Sequence, residues 1–104
     1  MYKADIFSLG IILFTLVMGR LPFEFAIPDN VHYSLILKGD FEQFWRLHNE
    51  VLLKAEGNGA MIDEFKEIFE QIVQVTPDKR PTIDQILESS WLSGKQEIMK
   101  NTKK

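Results

Sequence analysis

A chain of 104 residues with 45% hydrophobic and 26% charged residues has the size and make-up of one globular domain. It holds no cysteine, which excludes disulfides, thiol catalysis and Cys-based zinc sites. The net charge of −3 hides an asymmetry: residues 1–94 carry 8 basic and 14 acidic groups, whereas 95–104 carry 4 and 1, so the acidic body argues against a nucleic-acid surface and the Lys-rich end reads as a solvated tail.

The run from Asp5 to Met18 organises the chain. As a helix it has two apolar stripes, Ile6, Leu9, Leu13 and Leu16 on one and Phe7, Ile11, Phe14 and Met18 on the other. Asp5, Ser8 and Thr15 form a narrow polar strip. A helix apolar nearly all round is expected at the centre of a core. Asp5 is placed to cap its N-terminus, Gly19 to close its C-terminus, and Pro22 to prevent continuation. A membrane span needs about 20 apolar residues, and Arg20, Pro22 and Glu24 cut this run short. A secretory signal fits in length, but Asp5 abuts the apolar core and Gly19-Arg20-Leu21 makes a poor cleavage site.

Residues 20–28 read as a loop punctuated by Pro22 and Pro28, and Asp29-Asn30 as the cap of a short helix that ends at Lys38 before Gly39. Phe41, Phe44, Trp45 and His48 share one face of a further helix, predicted to reach Lys54. His48 on that face reads as a packed structural histidine. No second His or carboxylate stands at metal-ligand spacing, and His32 reads as equally isolated. Residues 55–60 read as a loop. The helix expected over Met61–Val75 turns Phe65, Ile68, Phe69 and Ile72 inward and Asp63, Glu64, Lys66, Glu67 and Glu70 toward water. Thr82 and Gln85 form a capping box for a last helix that aims Ile83, Ile86, Leu87 and Trp91 at the core. Residues 93–104 extend as a frayed helix or stay disordered. No strand pattern stands out, so the fold class expected is all-α, with about five helices around a central buried one.

These pieces, in this order, resemble the end of a eukaryotic protein kinase catalytic domain. Asp5-Ile-Phe-Ser-Leu-Gly10 is similar to the Asp-(Ile/Val)-Trp-Ser-Leu-Gly pattern of the central C-lobe helix, and Gly19-Arg-Leu-Pro-Phe23 to the Gly-x-x-Pro-Phe turn after it. Pro77-Asp-Lys-Arg80-Pro-Thr82 resembles the late Pro-x-x-Arg-x-Thr motif, and Ile86, Leu87 and Trp91 the lobe's final helix. The wording is similar to serine/threonine kinases of the calcium/calmodulin-dependent-like branch. Departures are Phe7 where Trp is usual, Thr76 where Asp is common, and Ser90 where His is common.

The resemblance implies a partial kinase domain over 1–92 and a basic tail over 93–104. The structural anchors carried over are Asp5, Gly10, Arg80 and Trp91, with no catalytic, cofactor-binding or metal residue. Kinase chemistry needs a glycine-rich loop, a strand Lys paired with a helix Glu, a catalytic loop and the Asp-Phe-Gly metal ligand. None of these motifs stands in the 104 residues, so ATP and Mg²⁺ belong to the complete family and this chain by itself is expected to transfer no phosphate. Asp5 resembles the aspartate that holds the catalytic loop, although helix capping accounts for it on its own. Arg80 resembles the arginine that pairs with a buried Glu; with that Glu absent, an exposed, solvated Arg80 is expected. Ile12 and Leu16 resemble positions under the adenine-side hydrophobic column. Residues 24–38 resemble a region that docks substrates and regulators, although a plain surface helix explains them as well. The implied partners are an upstream kinase segment or another protein, and protein substrates in the complete family, with no nucleic acid and no membrane, in the cytoplasm. A non-catalytic interaction module that keeps the docking surface is the competing reading, and a small membrane-inserted protein built on 6–18 a weaker one.

Overall fold

The computed structural model describes residues 2–48 and 59–92, with side chains in the second stretch from residue 63 onward. Helix α1 spans Lys3–Met18. It starts ahead of Asp5: the N-cap is Tyr2, in extended conformation and without a side-chain cap bond, and the Tyr2 carbonyl accepts the N–H groups of Asp5 and Ile6 at 3.0 and 3.1 Å. Asp5 is therefore not the cap. It lies exposed in the first turn, where its charge meets the positive end of the helix dipole. At the other end Gly19 adopts the left-handed φ of 75°, which a side chain would resist, and donates its N–H to the Thr15 carbonyl.

Burial of α1 is one-sided. Ile6, Gly10, Phe14 and Met18, spaced four apart, are buried, and Phe7, Leu9, Ile11, Leu13 and Val17 are half-buried. Ile12 is 57% and Leu16 76% exposed. The elements that pack on α1 reach only one side of it.

Helix α2 spans Val31–Lys38, capped by the Asn30 side chain, which accepts the Tyr33 N–H, and closed by Gly39 at φ 75°. Helix α3 spans Phe41–Leu47, with Asp40 accepting the Gln43 N–H. It closes at Leu47 with His48 as C-cap, short of the predicted Lys54; residues 49–54 of that prediction, and 55–58 of the predicted loop, lie outside the described residues. Helix α4 spans Gly59–Ile72, opening and closing earlier than the predicted 61–75. Just past its end the Gln74 carbonyl accepts the Arg80 Nε–H at 2.8 Å, and Val75 is half exposed. A 3₁₀ turn over Pro77–Lys79 leads to α5, Ile83–Leu87, whose capping box of Thr82 and Gln85 is complete in both directions. Ile86 and Trp91 are buried, but Leu87 is 47% exposed, correcting its expected inward face. It lies about 100° round a short helix from Ile86, off the buried side. No strand occurs among the described residues.

The core forms where α1, α3 and α4 converge. Phe14 packs against Phe44 and Trp45 of α3 at ring distances of 5.9 and 5.7 Å, and against Phe69 of α4 at 4.9 Å. Trp91 closes this layer against Phe65 at 5.0 Å. The Trp45 Nε1–H keeps a partner in Glu70 Oε2 at 3.3 Å.

Gly10 sets the approach of α1 to α4. A Cβ there would stand 2.3 Å from Ile72 Cγ2 and 3.4 Å from its Cβ, and a β-branched side chain has little room to turn away. Gly10→Ala is expected to destabilise by about 1–3 kcal/mol through overpacking, despite alanine's better helix propensity. In an Ile72→Ala background the same change is expected to be neutral or stabilising. Urea melts of the four chains give the sign, and an unchanged penalty in both backgrounds would show that Ile72 is not the obstacle.

Candidate functional site

Two side-chain clusters flank α1. The first sits at its N-terminus. The Pro77 turn presents Arg80 in extended backbone conformation, and its guanidinium reaches back across the fold. Nε donates to the Gln74 carbonyl at 2.8 Å and Nη1 to the Lys3 carbonyl at 3.1 Å, while the guanidinium carbon lies 4.8 Å over the Phe7 ring. Lys3 answers with its Nζ on the Arg80 carbonyl at 2.6 Å. The expected exposed, solvated Arg80 is thus corrected: with no carboxylate partner among the described residues, its planar fork takes two carbonyls and an aromatic face. The Phe7 that stands where the resembled pattern has Trp supplies that face. Asp5 projects into solvent at this same end of α1.

The second cluster joins the loop after α1 to α2 and α3. His48 is 3% exposed, with Nε2 at 3.0 Å from the Pro22 carbonyl, which assigns the proton to Nε2 as donor. Its own carbonyl accepts the Arg20 guanidinium. The His48 ring meets Phe14 edge-on at 4.9 Å and stacks on His32 at 4.5 Å. His48 is a packed core histidine, as its spacing suggested, but His32 is not isolated: it forms the outer layer of the same stack. Burial is the main cause that lowers the His48 pKa to about 4; the bond to the Pro22 carbonyl opposes this, and the His32 and Arg20 charges add to it. The sequence signal for this cluster was the place of His48 on the Phe41, Phe44 and Trp45 face; its partners His32, Arg20 and Pro22 carried none.

Among the described residues no three His, Cys, Asp or Glu side chains gather in a metal-holding group. No helix there is long and apolar enough to cross a membrane. Gly10 and Trp91 act in packing, against Ile72 and Phe65 respectively.

The protein kinase domain, as a family, matches the chain over residues 1–92. This chain belongs to the protein kinase domain family. Among curated relatives, the kinase-domain chain is similar to the ovarian-specific serine/threonine-protein kinase Lok of Drosophila melanogaster, at 37% identity over 92 residues, covering 86% of this chain and 17% of that protein. It is similar to serine/threonine-protein kinase 33 of Mus musculus at 33% identity, covering 88% of this chain and 16% of that protein. A calcium/calmodulin-dependent serine/threonine-protein kinase of Malus domestica is 27% identical, with 88% of this chain and 20% of that protein covered. The chain thus spans about a fifth or less of the length of these relatives. No solved structure matches it. The all-helical fold is that of the helical C-lobe of the kinase domain.

Proposed function

We propose that this chain is the helical C-lobe portion of a serine/threonine kinase of the calcium/calmodulin-dependent-like branch. The complete protein would transfer the γ-phosphoryl group of ATP, with Mg²⁺, to serine or threonine of protein substrates in the cytoplasm. The observation that carries the reading is the one-sided burial of α1. A helix this apolar, with Ile12 57% and Leu16 76% exposed, presents a face suited to further kinase-domain segments. In this reading the chain supports the chemistry and does not perform it. The Lys3–Arg80 exchange holds the N-terminus of α1 to the Pro77 turn, and Asp5 stands there to accept backbone N–H groups of a catalytic loop.

Two measurements on the 104-residue chain test this. Calorimetric titration with Mg·ATP is expected to give no saturable heat; micromolar binding overturns the proposal. The chain is also expected to enhance the fluorescence of a hydrophobic dye, and Ile12→Glu with Leu16→Glu to remove most of that signal while the far-ultraviolet helix signal stays.

The competing reading, a non-catalytic interaction module, draws on a different surface. Leu21, Phe25, Ile27 and Val31 are 54%, 62%, 49% and 64% exposed between α1 and α2. A dye-silent, cooperatively folding monomer would favour it.

A further inference from the structure

Between the C-terminal end of α2 and the Pro77 turn lies a cleft of about 240 Å³, lined by Lys38, Gly39, Phe41, Gln74, Thr76 and Lys79 among others. Two lysines and no Asp or Glu are among its lining residues, on a chain whose first 94 residues carry 14 acidic against 8 basic groups. The cleft is therefore a local positive site on an acidic body. Thr76 enters it exposed, with φ −82° and ψ 116°, the extended backbone that a following proline favours. As N-cap of the turn its hydroxyl makes no cap hydrogen bond. Its carbonyl accepts the Lys79 N–H at 3.0 Å, which fixes that lysine's backbone beside it. Asp78 in the same turn and Asp40 at the start of α3 are exposed and do not line the cleft, and the Asp40 carboxylate is already taken by the Gln43 N–H.

We propose that Thr76 is a phosphorylation site, and that its phosphoryl group is held between Lys38 and Lys79, tying α2 to the Pro77 turn. The modifying enzyme is a protein kinase acting on threonine followed by proline, with ATP as co-substrate. The Thr76 Oγ1–P bond forms as the bond from the γ-phosphorus to the bridging oxygen of ADP breaks, and the hydroxyl proton passes to a base of that kinase. The product carries a charge of about −1.5 to −2 and three acceptor oxygens, which suit two ammonium donors. The proposal does not depend on whether this chain itself supports catalysis.

Incubated with Mg·ATP and a kinase selective for Thr-Pro, the 104-residue chain is expected to gain one phosphoryl group, mapped to Thr76 by mass spectrometry and absent in Thr76→Val. Labelling elsewhere, or none, overturns the site. In the chain carrying phosphothreonine at position 76, ³¹P titration is expected to place the second phosphate pKa about 0.5 unit below its usual value of about 6. Lys38→Gln with Lys79→Gln is expected to restore that value, and neither change touches the buried core. An unshifted pKa in the parent chain overturns the lysine clamp. Inorganic phosphate added to the unmodified chain distinguishes the other source of the same chemistry: saturable shifts of the Lys38, Thr76 and Lys79 amides without labelling at Thr76 would make this a free-anion site and overturn the covalent one.

Discussion

Phe14→Ala is expected to remove about 3–5 kcal/mol of stability, the range for truncating an aromatic ring in a packed core. Phe14 is fully buried, and its ring lies within 6.3 Å of those of Phe44, Trp45, His48, Phe65 and Phe69. Those rings come from α3, its C-cap His48 and α4, so the cavity left by alanine would open where three helices meet, and collapse around it would need all three to shift. Against a typical domain stability of about 5–15 kcal/mol, such a loss leaves little cooperative fold. Leu16→Ala, two residues on in the same apolar run, is expected to change stability by less than about 0.5 kcal/mol, because that side chain is already in water. Denaturant melts of the two variants read the contrast directly; equal losses would mean that Leu16 is covered in solution.

The second large effect is a loss of stability on mild acidification. His48 is held neutral in the folded chain, with its pKa lowered from 6.5 to about 4, so below pH 6.5 the unfolded chain binds a proton that the folded chain refuses. Stability from this residue is complete above pH 6.5 and declines as pH falls toward 4, below which both states are protonated. Over that window the loss sums to about 3 kcal/mol at most. The physical origin is local: a charged ring at position 48 would sit buried against Phe14, stacked on His32 and near the Arg20 guanidinium. His48→Gln keeps an N–H that can donate to the Pro22 carbonyl and cannot titrate. Urea midpoints compared at pH 7 and pH 5 are expected to fall more steeply for the parent chain than for this variant. Parallel slopes would show that the acid sensitivity lies in the carboxylates.

Both effects rest on contacts that differ in kind from those legible in the sequence. The ends of α2, the capping box of α5 and the closure of α1 at Gly19 could be read because each is settled within a few residues: Asn30 reaches Tyr33, Thr82 reaches Gln85, and Gly19 reaches Thr15. The buried stripe of α4 was legible for a related reason. Its opposite face is charged, so Phe65, Ile68, Phe69 and Ile72 had only one direction in which to leave water. The family, too, was written in short motifs whose order along the chain is itself the signal.

Helix α1 was different. With apolar residues on every side but one narrow strip, its sequence fixes that it is a helix yet carries no preference between Phe14 and Leu16 as core residues. That choice belongs to the elements packed against it, which cover one side and leave Ile12 and Leu16 in water. Arg80 illustrates the same limit at a single side chain. Its guanidinium finds the Lys3 carbonyl 77 positions away, a partner that no local pattern announces, because a backbone carbonyl has no residue type. His32 and His48 likewise become a stacked pair only when α2 and α3 are brought side by side. By itself, then, the sequence determined the helices, the caps of α2 and α5, the closure of α1 and the kinase-domain kinship, all of which follow from short-range hydrogen bonding and periodicity. Tertiary structure alone decided which face of α1 is core, where Arg80 is held and how His48 is kept neutral, because each depends on burial and on groups distant along the chain.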